Sequence, residues 1–185
     1  FNDIDMLTVG MYGKGNVGIG SKCTDNEYKV QFALWCMLSA PLMMGGDLRS
    51  MNEFCEKLML NKELLAINQD EEARPPYVVQ LGDLNVENPN PKDGEFPWVV
   101  QEQTALTMIK HLSGGEFAIG LFNLSKSDAQ ISCIFADCGL PYTSGYGFEM
   151  TDVFTGEKLG VVRDYYCPVI PRHDCRVFRC KLVKC

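Results

Sequence analysis

The spacing of apolar residues changes once along this sequence, and that change limits the folds open to the chain. Up to about residue 70 apolar side chains recur at helical spacing, whereas from about residue 77 they alternate with polar ones. The stretch 70–76 between the two regimes is charged and contains two prolines. We therefore expect two domains, residues 1–72 and residues 73–185.

The first regime predicts helices separated by a short strand. Thr24 and Glu27 have capping-box spacing, and apolar residues follow Val30 at i+3, i+4, i+7 and i+8, which predicts a helix of roughly four turns. Its wide apolar face indicates packing against more than one neighbour. Residues 42–46 are wholly apolar, as in a strand buried on both faces, and a second helical pattern spans residues 51–67. This order is typical of a parallel α/β array.

The second regime predicts an antiparallel β-sandwich. Short alternating runs are separated by glycine-containing turns, and about eight such strands suit a sandwich of about a hundred residues. In the last run Phe178, Cys180 and Leu182 alternate with Arg179 and Lys181, which predicts one apolar face and one wet face. The predicted strands are 77–81, 98–101, 104–112, 117–124, 129–135, 149–154, 165–170 and 176–183.

Composition excludes several classes of partner. The formal net charge is −7 with no basic stripe, so nucleic acid is not an expected partner. No apolar run is long enough to cross a bilayer, so no membrane association is expected. The sequence opens with Phe1 inside a motif and not with Met, which indicates a piece of a longer product. Oligomeric state cannot be read from the sequence, and a homo-oligomer stays open.

The sequence predicts neither a disulfide framework nor a metal site for its nine cysteines. Most lie inside apolar runs, as Cys36 and Cys133 do, and are interpreted as small buried hydrophobic residues. No Cys-x-x-Cys pair is present, so a cluster of His173 with Cys167 and Cys175 is only a weak candidate for metal binding. No metal or cofactor is predicted. Unpaired cysteines favour a reducing compartment, and so a bacterial-type cytoplasmic protein, with a secreted protein as the alternative that stays open.

The segment from Phe1 to Leu7, Phe-Asn-Asp-Ile-Asp-Met-Leu, carries the chemistry. Two carboxylates lie close together ahead of the glycine-rich segment 10–20. If the motif ends a buried strand, Asp5 and Met6 lie on the carboxyl rim where α/β barrels build their active sites. The glycine-rich segment lacks the order of a phosphate loop and is predicted to be a mobile active-site loop, with a plain linker as the alternative.

This motif resembles the Trp-Asn-Asp-Pro-Asp-Met-Leu motif of glycoside hydrolase family 27, the melibiases, and differs from it at Phe1 and Ile4. Further family-like segments follow in the family's order: 27–28, 32–35, 40–43, 47–49 and 66–70. Weaker similarities lie at 120–125, 152–154 and 171–175. The resemblance implies the C-terminal part of a (β/α)₈ TIM barrel, then an antiparallel β-sandwich domain. The expected fold class is therefore α/β plus all-β.

The resemblance implies a retaining α-galactosidase that hydrolyses terminal α-linked galactose, with galactose-containing oligosaccharides as substrates. Family members carry their two catalytic aspartates after the fourth and sixth barrel strands, which would precede Phe1. No catalytic residue is therefore assigned to this chain, and the chain alone is expected to be inactive. Asp5 and Met6 match the family's sugar-binding positions. An α-N-acetylgalactosaminidase, a β-L-arabinopyranosidase and a non-catalytic carbohydrate-binding module remain alternatives.

Nearby residues have simpler structural interpretations. Asp3 is expected to act in a turn. Asp47 and Arg49 are expected to form an ion pair that caps the next helix. Trp35 is interpreted as a core residue. Trp98 is also interpreted as core, with a sugar-stacking ring as the alternative.

Overall fold

The structure is a computed structural model that describes residues 3–13, 23–87, 92 and 98–185. Within these ranges the helices precede the strands, in agreement with the predicted order. Short 3₁₀ turns lie at Leu48–Ser50 and Ser113–Gly115. The α-helices are α1 (Asp25–Met37), α2 (Glu53–Met59) and α3 (Lys62–Asn68).

Helix α1 begins at the predicted capping box. The Thr24 backbone N donates to Glu27 Oε2 at 2.6 Å, and the Glu27 backbone N donates to Thr24 Oγ1 at 3.4 Å. These bonds satisfy two N–H groups that the first helical turn leaves without partners. The helix is buried on a broad face and packs against α2, α3 and the strand-rich part, as its wide apolar face predicts.

The second predicted helix is divided in two at Asn61, so the prediction of one helix across this residue is wrong. Asn61 Oδ1 accepts a hydrogen bond from the backbone N of Leu64 at 3.0 Å, and α3 starts there. Asn61 Nδ2 donates to the backbone oxygen of Val153 at 2.9 Å. An asparagine side chain competes with the helical backbone for hydrogen bonds, and here a distant partner holds it in the capping position.

Six strands form an antiparallel sheet, and two short ribbons cover it. The ribbons pair β4 (Ala129–Gln130) with β9 (Val169–Ile170) and β5 (Cys133–Ile134) with β8 (Tyr165–Tyr166). The sheet contains β1 (Tyr77–Glu87), β2 (Trp98–Leu112), β3 (Glu116–Asn123), β6 (Tyr146–Asp152), β7 (Lys158–Val162) and β10 (Asp174–Lys184). Their spatial order is β1-β2-β3-β10-β6-β7.

Strand boundaries differ from the predictions in several places. The predicted strands 98–101 and 104–112 are one strand, β2. The predicted strand 129–135 is divided between β4 and β5, and the predicted strand 165–170 between β8 and β9. Strand β7 was not predicted. Among the strands of the described ranges it pairs with β6 alone and is largely exposed, so its sequence carries no apolar alternation.

The central strands are buried on both faces. Ile119, Leu121, Phe178 and Cys180 belong to one apolar cluster with the ribbons. On the opposite face Val177 is also fully buried, because the helices cover it. The alternation predicted for β10 is confirmed at Arg179 and Lys181, which are partly exposed and exposed, while Leu182, placed on the apolar face, is 42% exposed. The helices and the sheet share one core, and the domain division at residue 72 stays a prediction.

The apolar run 42–46 is not buried on both faces. It forms one parallel bridge, in which Leu7 N donates to Met43 O at 2.7 Å and Gly45 N donates to Leu7 O at 2.9 Å. Met43 is 58% exposed. Since the described residues pair with this run on one side only, its other side lies open.

Candidate functional site

The segment that carries Asp5 and Met6 has an unusual backbone held by local hydrogen bonds. Asp5 lies in the left-handed region with φ 75°, which aspartate tolerates better than most residues. Its backbone N donates to Asp3 Oδ1 at 3.3 Å, and the Met6 N donates to Asp5 Oδ1 at 2.7 Å. The turn role predicted for Asp3 is confirmed. This geometry fixes the direction of the chain just before the Leu7 bridge.

Both predicted substrate-binding side chains lie at the surface next to each other. The Asp5 side chain is exposed, and Met6 is 49% exposed. Met6 packs over Gly45 of the neighbouring segment, where an ideal Cβ would lie only 3.0 Å from Met6 Cβ and 3.1 Å from Leu7 O. A glycine at position 45 therefore lets the two segments approach closely. We call Asp5, Met6, Met43 and Gly45 the rim.

Helix α1 holds the segment 5–8 through hydrogen bonds with two side chains, and the sequence did not predict these contacts. Trp35 Nε1 donates to the backbone oxygen of Asp5 at 3.0 Å. Gln31 Oε1 accepts from both the backbone N and Oγ1 of Thr8, each at 3.1 Å. The two residues are four apart, so they share one face of the helix. Trp35 packs against the core as interpreted, but its ring is only partly buried and its N–H reaches the rim.

Asp47 and Arg49 lie just after the rim and are engaged with each other. Arg49 Nε and Nη2 donate to the two Asp47 carboxylate oxygens at 2.9 and 2.8 Å. The Arg49 backbone N also donates to Asp47 Oδ1 at 3.0 Å, so Asp47 caps the Leu48–Ser50 turn. These hydrogen bonds from Arg49 lower the pKa of Asp47 to about 2. The predicted capping ion pair is confirmed.

The start of the glycine-rich segment is anchored by Tyr12. Its hydroxyl donates to the Asp25 carboxylate and accepts from Asn52 Nδ2 at 2.9 Å, while its backbone N donates to Tyr28 Oη at 2.7 Å. Burial, with the hydrogen bond to Asp25, raises the pKa of Tyr12, so the phenol stays neutral. The rest of the predicted mobile loop, residues 14–20, lies outside the described residues, and so does the side chain of Trp98.

The remaining candidates do not form a metal centre in the described part of the chain. His173 Nδ1 lies 2.9 Å from Glu27 Oε1, at the junction of α1 with the strands. Within the described ranges, His, Cys, Asp and Glu side chains form no group of three or more with metal-binding geometry. None of the described helices combines the length and apolarity that a membrane span requires.

Comparisons with known proteins agree with this architecture. The family described as "Alpha galactosidase A" matches residues 1–70, and the family described as "Alpha galactosidase C-terminal beta sandwich domain" matches residues 103–180. An α-galactosidase of Coffea arabica is 33% identical over 175 residues, which cover 94% of this chain and 38% of the relative. The chain belongs to glycoside hydrolase family 27, the melibiases. It thus spans less than half the length of this melibiase relative.

Solved melibiase structures share the fold. α-Galactosidase I of Mortierella vinacea superposes with a TM-score of 0.75 at 22% identity, over 97% of this chain and 39% of the other. A family 27 β-L-arabinopyranosidase of Geobacillus stearothermophilus gives a TM-score of 0.71 at 22% identity, over 97% of this chain and 36% of the other. The expected fold class, part of a (β/α)₈ barrel followed by an antiparallel β-sandwich, is confirmed.

Proposed function

We propose that this chain supplies a sugar-binding rim to a retaining α-galactosidase that acts on galactose-containing oligosaccharides. The juxtaposition of Asp5 and Met6 is the observation that carries the proposal: a carboxylate and an apolar side chain are exposed side by side on a fixed backbone. Membership in the melibiase family and the similarity to the Coffea arabica enzyme support the choice of reaction.

The two side chains suit different parts of a hexose. Asp5 Oδ1 already accepts from Met6 N, while Oδ2 has no partner among the described residues. Oδ2 can therefore accept hydrogen bonds from sugar hydroxyls, and a hydrogen bond to a charged group contributes about 1.5–3 kcal/mol. Met6 offers an apolar surface to the C–H face of the ring.

Hydrolysis itself is assigned to residues outside this chain. A retaining mechanism needs two carboxyl groups about 5 Å apart, one as nucleophile and one as acid and base. Asp3, next to the rim, accepts a hydrogen bond from the backbone N of Asp5, and Asp47 forms an ion pair with Arg49. These carboxylates hold the local structure, which leaves Asp5 to bind substrate.

The test compares Asp5→Asn with the unmodified residue in the complete reading frame, using an aryl α-galactoside. Loss of the charge weakens the hydrogen bonds to the sugar, and we expect kcat/KM to fall about tenfold to a hundredfold. Asp47→Asn is the matched control, since that carboxylate is bound to Arg49, and it is expected to leave kcat/KM nearly unchanged.

An unchanged kcat/KM in Asp5→Asn would contradict the sugar-binding role. Aryl α-N-acetylgalactosaminide and β-L-arabinopyranoside are assayed in parallel, and faster turnover of either would replace galactose as the substrate. The 185-residue chain alone is expected to show no turnover, and activity in that sample would contradict the assignment of catalysis to other residues.

We also infer a reducing compartment for this chain. All nine cysteines are free thiols. Disulfides form and persist in oxidising compartments, whereas the cytosol keeps thiols reduced.

A further inference from the structure

Two cysteine sulfurs in the strand-rich part lie close enough to react with each other. Cys133 Sγ and Cys138 Sγ are 3.6 Å apart and share a hydrogen bond. A disulfide bond is about 2.05 Å long, so a movement of roughly 1.5 Å closes the gap. We propose that Cys133 and Cys138 form a redox-active dithiol that small-molecule disulfides oxidise reversibly to an intramolecular disulfide. The proposal does not depend on the proposed function.

The backbone holds one sulfur and leaves the other room to adjust. Cys133 belongs to β5, where it pairs with Tyr166, and its side chain is buried. Cys138 lies in the turn that follows, and its backbone N donates to Phe135 O at 3.0 Å. A residue in a surface turn can change its backbone angles at lower cost than one in a paired strand. The movement that closes the bond therefore falls on Cys138.

The two thiols differ in exposure and acidity in the way that exchange requires. Cys138 is only partly buried, whereas Cys133 is 1% exposed. The hydrogen bond between the two sulfurs lowers the pKa of the Cys138 thiol, while the same bond and burial raise the pKa of Cys133. A thiolate is the attacking species in disulfide exchange. Cys138 is thus the attacking sulfur and Cys133 the resolving one.

The chemistry proceeds in two balanced exchanges. The Cys138 thiolate attacks one sulfur of a disulfide such as oxidised glutathione, which forms a mixed disulfide and releases one glutathione thiolate. The Cys133 thiol then gives its proton to solvent and attacks the Cys138 sulfur, and the second glutathione leaves. The protein loses two electrons and two protons, and one small disulfide becomes two thiols.

The cysteines of strand β10 are not equivalent to this pair. Cys175 and Cys180 are fully buried, and burial raises the pKa of both thiols, so both are poor nucleophiles. Cys167 resembles Cys138 in its partial burial and provides a matched control.

The test is mass spectrometry of the folded 185-residue chain after incubation with oxidised glutathione. Free thiols are alkylated, and the chain is cleaved after Lys126 and Lys158, which leaves Cys133 and Cys138 as the two cysteines of one peptide. We expect this peptide to carry no alkyl group and to be lighter than the dithiol form by two hydrogen atoms. A second cleavage before Asp137 should leave the two halves joined until a reductant is added.

Two variants distinguish formation of this disulfide from oxidation of other cysteines. In Cys138→Ser we expect Cys133 to be alkylated fully, and in Cys167→Ser we expect the intramolecular bond to form as in the unmodified chain. Full alkylation of both cysteines in the unmodified chain, or glutathione that stays attached to Cys138, would overturn the proposal. That readout uses the unmodified chain, so it decides the question even if Cys138→Ser does not fold.

Discussion

The two faces of the six-stranded sheet are covered in different ways. The face toward the helices contains charged groups with specific partners: Lys29 Nζ lies 2.8 Å from Asp174 Oδ1, and buried Lys110 Nζ donates to Ile67 O at 2.7 Å. The face toward the ribbons is apolar, with the Phe135 and Phe148 rings in edge contact at 5.0 Å. Charged groups therefore help to orient the helices on the sheet, whereas the ribbons are held by apolar packing together with neutral hydrogen bonds such as Asn123 Nδ2 to Ile170 O at 2.9 Å.

This difference follows from what each layer offers the sheet. The ends of α3 leave backbone carbonyls without partners, and one of them, Ile67 O, is satisfied by Lys110 from β2. The ribbons contribute buried apolar side chains, and the backbone oxygen of Ile170 also accepts a hydrogen bond from the Asn123 amide. Apolar burial stabilises both sides, and charged side chains add specificity on the helix side.

The largest effect is expected on the ribbon side, in Phe178→Ala. Phe178 is fully buried, and its ring packs edge-on against Tyr166 with centroids 5.3 Å apart. Removing the ring leaves a cavity and lost apolar burial, so the free energy of unfolding should fall by about 3–5 kcal/mol. Chemical denaturation monitored by circular dichroism measures this loss.

Leu182→Ala is the matched control for that variant. Leu182 lies four residues further along β10 on the same face but is 42% exposed, so its truncation should cost less than about 1 kcal/mol. Equal losses in the two variants would show that burial against the ribbons does not stabilise the sheet.

A smaller effect is expected on the helix side, at Asn61. Asn61→Ala removes the cap of α3 and the hydrogen bond to Val153 O, and we expect a loss of about 2 kcal/mol, with about half from each contact. Asn61→Ser keeps a capping oxygen but lacks the amide donor, so it should lose only about 1 kcal/mol. Denaturant midpoints of the two variants give the comparison. If serine and alanine cost the same, the cap contributes nothing, and if Asn61→Ser costs nothing, the contact with Val153 contributes nothing.

The smallest effect concerns the pH dependence that Lys110 brings to the helix side. Burial lowers the pKa of Lys110, so the folded protein binds its proton less tightly than the unfolded chain does. The resulting penalty is present below the lowered pKa and is relieved as pH rises from there toward the ordinary value of 10.5. The stability of the unmodified chain should therefore rise with pH relative to Lys110→Met. Denaturation midpoints between neutral and alkaline pH, in reductant, test this, and parallel curves would contradict it.

Local signals in the sequence were sufficient for elements whose partners are close along the chain. The Thr24 and Glu27 capping box lies within one turn, and helix α1 starts there as predicted. The break at Asn61 was missed because its amide is held by Val153, 92 positions away. The burial of Val177 was missed for a similar reason, since the helices that cover it come from the other part of the chain.

At the candidate site, the motif predicted the two candidate substrate-binding residues. The contacts that hold them in place could not be predicted from the sequence. Asp5 and Met6 follow from the motif and its resemblance to the melibiases. The indole of Trp35 looked apolar in sequence, and only the fold brings its N–H to the carbonyl of Asp5. The run 42–46 looked fully buried because apolar composition does not tell which side of a strand is paired.

Gly45 has a consequence for how the rim can be reshaped. A Cβ atom added at position 45 would lie 3.0 Å from Met6 Cβ, which is closer than carbon atoms normally pack, so Met6 would have to shift. The width of the rim is therefore set from the adjacent segment, and a single methyl group there would move Met6 while the chemistry of positions 5 and 6 stayed the same.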